Sequence, residues 1–146
     1  MPAIRTLRGA GGLKRASTTV TFTGAANLGA VGTVPIFTVT GEVLVAYFVP
    51  FCTTLLTEAA PTATLALGIT GSTSLFLTAT TATAIDANEF VVNTTPVANG
   101  VALPAAFKDI ITTDNIIGTV AAQAVDSGAI RFDCYYLPLS SDGLVA

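Results

Sequence analysis

The sequence has no histidine and no tryptophan, and only 10% of its 146 residues are charged. Without histidine it lacks both the commonest general base and the commonest metal ligand. Nucleophilic catalysis needs a base beside the nucleophile, and nothing of that kind accompanies Cys52 or Cys134. Two cysteines make no disulfide framework, and the expected state of both is a buried, unpaired thiol. The acids cluster only as Asp86 with Glu89 and Asp109 with Asp114, at turns where carboxylates serve as caps and solvated loop residues. Asp86, Asn88 and Glu89 supply three of the roughly six oxygens that a calcium site requires. The glycine run Gly68-Ile-Thr-Gly71 has no lysine to hold a phosphate. No catalytic residue, cofactor or metal is expected, and the chain does not read as an enzyme.

Positive charge is scarce and unevenly placed. Four of the six basic residues, Arg5, Arg8, Lys14 and Arg15, fall in the first fifteen positions, where there is no acid. From Ala16 onward two basic residues face nine acids, a balance of -7. A nucleic-acid binder needs a basic face to neutralise phosphates, so no nucleic-acid partner is expected of the body. Long apolar runs are missing too. The most hydrophobic window, residues 43–56, is shorter than the roughly 20 residues of a membrane helix and carries Pro50, Thr53 and Thr54. The stretch after the basic residues is rich in Ser, Thr and Gly, unlike the apolar centre of a signal peptide. The expectation is a soluble chain with no membrane partner, made in the cytoplasm and not exported by the usual route.

What the sequence does have is apolar content (51%) and 24 threonines, a β-rich texture. Residues 1–17 read as a flexible, basic, glycine-rich arm, and residues 18–146 as one β domain. Val20 and Phe22 alternate with threonines, so they share a strand face. Residues 34–40 and 43–52 read as two strands joined across Gly41-Glu42, a gap of hairpin length. The second is apolar on both sides. Strict alternation puts Val43, Val45, Tyr47, Val49 and Phe51 on one face, and Leu44, Ala46, Phe48 and Cys52 on the other. A strand of that kind is covered twice. One face should belong to the core and the other to a subunit contact. Residues 115–124 and 129–137 read as a closing hairpin, with Ile130, Phe132, Cys134 and Tyr136 inward and Arg131, Asp133 and Tyr135 outward. About eight short strands with regular turn signals predict an all-β fold, an antiparallel β-sandwich or jelly roll.

Several stretches resemble the head decoration, or cement, proteins of tailed bacteriophages. They are residues 21–41, the strand and turn Ala63-Thr-Leu-Ala-Leu-Gly-Ile-Thr-Gly71, residues 80–89, and the ending Tyr136-Leu-Pro-Leu-Ser-Ser-Asp-Gly143. The resemblance implies a homotrimer bound to the phage major capsid protein on the outer surface of the virion, with an amino-terminal segment lying on the shell. On that reading the arm residues Arg5, Arg8, Lys14 and Arg15 bind the capsid, and the chain cements it against internal pressure. A tail or head-fibre protein shares the same texture, and a carbohydrate-binding β-sandwich module is the alternative from another class.

Overall fold

Strands that alternate apolar and polar residues bury one face each. The computed structural model, which describes residues 12–146, pairs them into antiparallel sheets packed against one another. In chain order the strands are β1 (Lys14–Thr21), β2 (Gly32–Phe37), β3 (Val39–Thr40), β4 (Val43–Thr57), β5 (Thr64–Ile69) and β6 (Ser72–Thr81). They continue as β7 (Glu89–Phe90), β8 (Val97–Ala98), β9 (Lys108–Thr112), β10 (Ile116–Ala121), β11 (Ser127–Pro138) and β12 (Leu144–Val145). Two single 3-10 turns, Ala82–Ala84 and Ala105–Phe107, are the helical elements among the described residues. The large sheet runs β1-β11-β4-β7-β8, with β9 also paired to β4, and the small sheet runs β2-β10-β5-β6. A short ribbon joins β12 to β3. The all-β sandwich expected from the sequence is therefore present.

The core lies between the two sheets. Val20, Phe48, Ile130, Phe132 and Cys134 from the large sheet meet Val34, Leu65, Leu67 and Val120 from the small one. Phe48 stands at its centre, with ring centroids 4.6 Å from Phe76, 5.8 Å from Phe132 and 6.3 Å from Phe107. Each such side chain contributes about 1.5–3 kcal/mol by leaving water. Both cysteines are free and buried. Burial pushes the Cys52 thiol up to about 11 and the Cys134 thiol up to about 12, so neither supplies a nucleophile near neutral pH.

Four local expectations are corrected. Residues 34–40 and 43–52 do not form a hairpin, because β2 pairs with β10 while β4 pairs with β11. Gly41, at φ 64°, turns the chain from one part of the sandwich to another instead. The closing hairpin is absent for the same reason: β10 belongs to the small sheet and β11 to the large one. A short polar gap serves a hairpin or a crossing equally well, and only the pairing partners decide between them.

The third correction concerns the strand read as one uniform face. Val45 pairs with Tyr136 and Tyr47 with Tyr135, so Ala46 is an extra residue that β11 does not match. Such a bulge reverses which side chains face inward. Val43 and Val45 are fully buried in the core, whereas Tyr47 is 45% exposed and Val49 and Phe51 are half-buried on the outer face. The fourth concerns the arm. β1 begins at Lys14, so residues 14–17 belong to the sheet and lie opposite Tyr136, Tyr135, Cys134 and Asp133. Arg5 and Arg8 lie outside the described residues.

Candidate interaction face

In a two-layer sandwich one side of each sheet meets the core and the other meets solvent or a partner. The register of the large sheet fixes what its outer side presents. Ile111, Leu44 and Leu137 stand side by side across β9, β4 and β11. Next along the strands comes a row of Lys108, Tyr47, Tyr135 and Arg15. Val49, Asp133 and Ser17 follow, and then Phe90, Phe51, Arg131 and Thr19. Ile111 is 66% exposed, the most open large apolar side chain among the described residues. Cross-strand aromatic pairs tie the rows together: Tyr47 meets Tyr135 edge-on at 6.5 Å, and Phe51 meets Phe90 at 5.0 Å.

Asp133 organises the charge on this face. Its residue is only 5% exposed although it points away from the core. Two guanidinium groups cover it. Arg15 donates from Nε and Nη2 to Oδ1 at 3.0 and 2.6 Å, and Arg131 donates from Nε to Oδ2 at 2.9 Å. Burial pushes the Asp133 carboxyl up, but hydrogen bonds from Ser17, Arg15 and Arg131 outweigh that and hold it below the usual carboxylate range. Both arginines keep about half their side-chain surface in water. Their ion pairs therefore contribute modestly to stability, and their main effect is to fix the side chains in place. Arg131 also lies over the Phe51 ring, 5.1 Å from its centroid. The outcome is an aromatic and aliphatic surface with positive groups held rigid among the rings.

Sequence reasoning placed some of these residues well. Tyr135, Arg131 and Asp133 face outward as the alternation of β11 requires, and Tyr47, Val49 and Phe51 share the face with them. Val43 and Val45 do not join it. Arg15 does, as a strand residue and not as part of an arm, while Lys14 points to the opposite side of β1. The Arg15–Asp133 clamp spans 118 positions and left no trace in local sequence. Arg131 and Asp133 did leave one, since residues two apart on a strand share a side. Leu44, Leu137 and Ile111 were missed as a row because the bulge at Ala46 conceals their common direction.

Among the described residues no three of His, Cys, Asp and Glu come together in a way that could hold a metal ion. Nor is any helix there long and apolar enough to cross a membrane. What the face can do is bury rings and aliphatic groups against another surface.

No protein-family model matches the chain, and no curated protein matches it. Among solved structures it is similar to a chain of the cyanophage Pam1 capsid asymmetric unit. The two share 25% identity with a TM-score of 0.54, over 89% of this chain and 89% of that one. The chain therefore shares its sandwich with a component of a phage capsid over nearly its whole length.

Proposed function

We propose that this chain is a structural virion protein that decorates and cements an icosahedral bacteriophage capsid, as a homotrimer bound to the major capsid protein on the outer surface. The observation that carries the reading is the likeness to a capsid chain over 89% of both molecules. The apolar outer face of the large sheet supports it, because a lone domain has no use for rings in water. The work is mechanical. A protein that binds only the closed shell stabilises that shell by mass action at every equivalent site.

In this reading the amino-terminal residues, Arg5 and Arg8 among them, contact the shell. Their charge pairs with capsid carboxylates, so binding weakens as salt rises. The test is to add the purified chain to expanded heads that lack it, and to count bound copies and heat-release of DNA. Saturable coating at hundreds of copies per head, with DNA retained to higher temperature, is the expected result. A chain lacking residues 1–11 keeps the Arg15–Asp133 clamp and should coat heads more weakly. Failure of the full chain to coat heads, or binding at only a few copies, overturns the reading.

A further inference from the structure

We propose that the outer face of the large sheet is covered by a second copy of this chain, which presents the acidic corner around Glu42 and Asp142. The inference rests on the homotrimer in the proposed function and names the two surfaces that build it.

Charge on the face argues first. Arg15, Arg131 and Lys108 are three of the four basic residues described, and Asp133 is already engaged by two of them. On the same strands Asp109 sits beside Lys108 at the edge, and Glu89 is opposite Cys52, which points into the core. The face carries an excess of positive charge. Pairing it with its own image across a two-fold axis would bring like charges together, which opposes association. It must meet a different, acidic surface.

This chain has one that also offers apolar groups. At the β3–β4 turn, Glu42 lies against the segment between β11 and β12. The Glu42 carbonyl accepts from the Leu139 and Ser140 amides at 2.8 and 3.2 Å. The Ser140 hydroxyl accepts from the Glu42 amide at 2.8 Å and donates to Asp142 Oδ1 at 2.7 Å. These bonds hold the corner rigid, with Leu139 and Leu144 each 46% exposed beside the two carboxylates. Acid with leucine on the corner complements base with aromatic on the face.

Position supplies the last step. Glu42 precedes Leu44 by two residues and Leu139 follows Leu137 by two, so the corner adjoins the face instead of lying on the far side of the domain. Contacts between unlike surfaces close into rings when the rotation allows it, and otherwise run on as filaments. Surfaces that adjoin impose a large turn at each contact, which favours a small closed ring such as a trimer.

The test is charge exchange in the full chain, read by sedimentation across a concentration series. Lys108→Glu alone and Glu42→Lys alone should each raise the concentration at which the trimer falls apart by at least about tenfold. Combined in one chain they should recover most of that loss. Ile111→Asp, at the most exposed apolar position, should weaken the trimer with an unchanged melting temperature of the separated chain. A trimer indifferent to Lys108→Glu and Ile111→Asp overturns the inference, as does one indifferent to Glu42→Lys. If those variants stay trimeric but no longer coat heads, the face belongs to the shell contact and the inference is again wrong. A wild-type chain that coats heads as a monomer also overturns it, while the decorating reading stands. A trimer with the expected sensitivities that coats no head upholds the inference and defeats the proposed function.

Discussion

The two sheets of this sandwich present opposite characters to the outside. The large sheet shows four rings, four aliphatic side chains and a fixed arginine pair. The small sheet directs outward Thr33 and Pro35 on β2, Thr119 and Ile117 on β10, and Thr64, Ala66 and Gly68 on β5, with Ile117, Ala66 and Gly68 buried where the chain itself covers them. No charge and no ring stands among those seven. Both sheets bury their inner sides equally well, so the contrast is not a matter of making a core. Large rings and guanidinium groups are the residues that anchor interfaces. The outer side of the large sheet carries the residue types that anchor interfaces, and that of the small sheet does not.

The largest effect should come from the small sheet and should be purely a matter of folding. A Cβ at Gly68 would collide with the Ser72 carbonyl and the Thr73 backbone, because β6 loops closely over β5 there. Gly68→Val should cost about 3 kcal/mol of stability, read by urea unfolding of the isolated chain. A loss below about 0.5 kcal/mol would mean that β6 yields easily, and the contrast between the sheets would weaken.

On the large sheet the corresponding change should act on association. Tyr47→Ala removes a ring that is 45% exposed in the single chain. Folding stability should move by less than about 0.5 kcal/mol. Association should weaken by about 2 kcal/mol, or roughly thirtyfold, measured by light scattering on dilution. If the melting temperature drops and association does not, the face is part of the fold and has no partner.

How much of this was legible in the sequence depends on whether a strand carried one pattern or two. In β11 polar and apolar residues alternate from Ile130 to Tyr136, and the inward set was read correctly. In β4 both sides are apolar, so hydrophobicity could not report the extra residue at Ala46, and the face was assigned through the bulge as though the strand were regular. Pairing was less legible than facing. Gly41-Glu42 looks like a hairpin turn, but β2 and β4 each find a better partner far along the chain. The Arg15–Asp133 clamp was invisible for the same reason, since it exists only once β1 and β11 are side by side. The basic residues were grouped by sequence into an arm, and the fold takes Lys14 and Arg15 back into a strand.

Asp133 lets the large face be loosened without removing a ring. Asp133→Asn should cost about 1–2 kcal/mol at pH 7, since charge-assisted hydrogen bonds are lost while the arginines remain half in water. The native carboxyl titrates below its ordinary value. Its contribution is therefore complete above about pH 4 and fades as pH falls through the lowered native value. Thermal melts of both chains from pH 7 to pH 2 should converge at the acid end. A gap that stayed constant with pH would assign the loss to shape and not to charge.

The smallest effect returns to the small sheet and has the opposite sign. Thr119 lies between Thr33 and Ala66 on its outer side, and its hydroxyl oxygen is enclosed without a hydrogen-bond partner. An enclosed polar group with no partner destabilises the fold by the water it gave up. Valine has nearly the same shape and an equal preference for strands. Thr119→Val should therefore stabilise the isolated chain by about 0.5–1 kcal/mol, seen as a rise in the urea midpoint with an unchanged slope. Trimer mass and coating of heads should be unaffected, because the proposed contacts use the large sheet and the Glu42 corner instead. If the variant folded better but assembled worse, the Thr119 hydroxyl would have a bonding partner in the assembly, and the small sheet would be an interface as well.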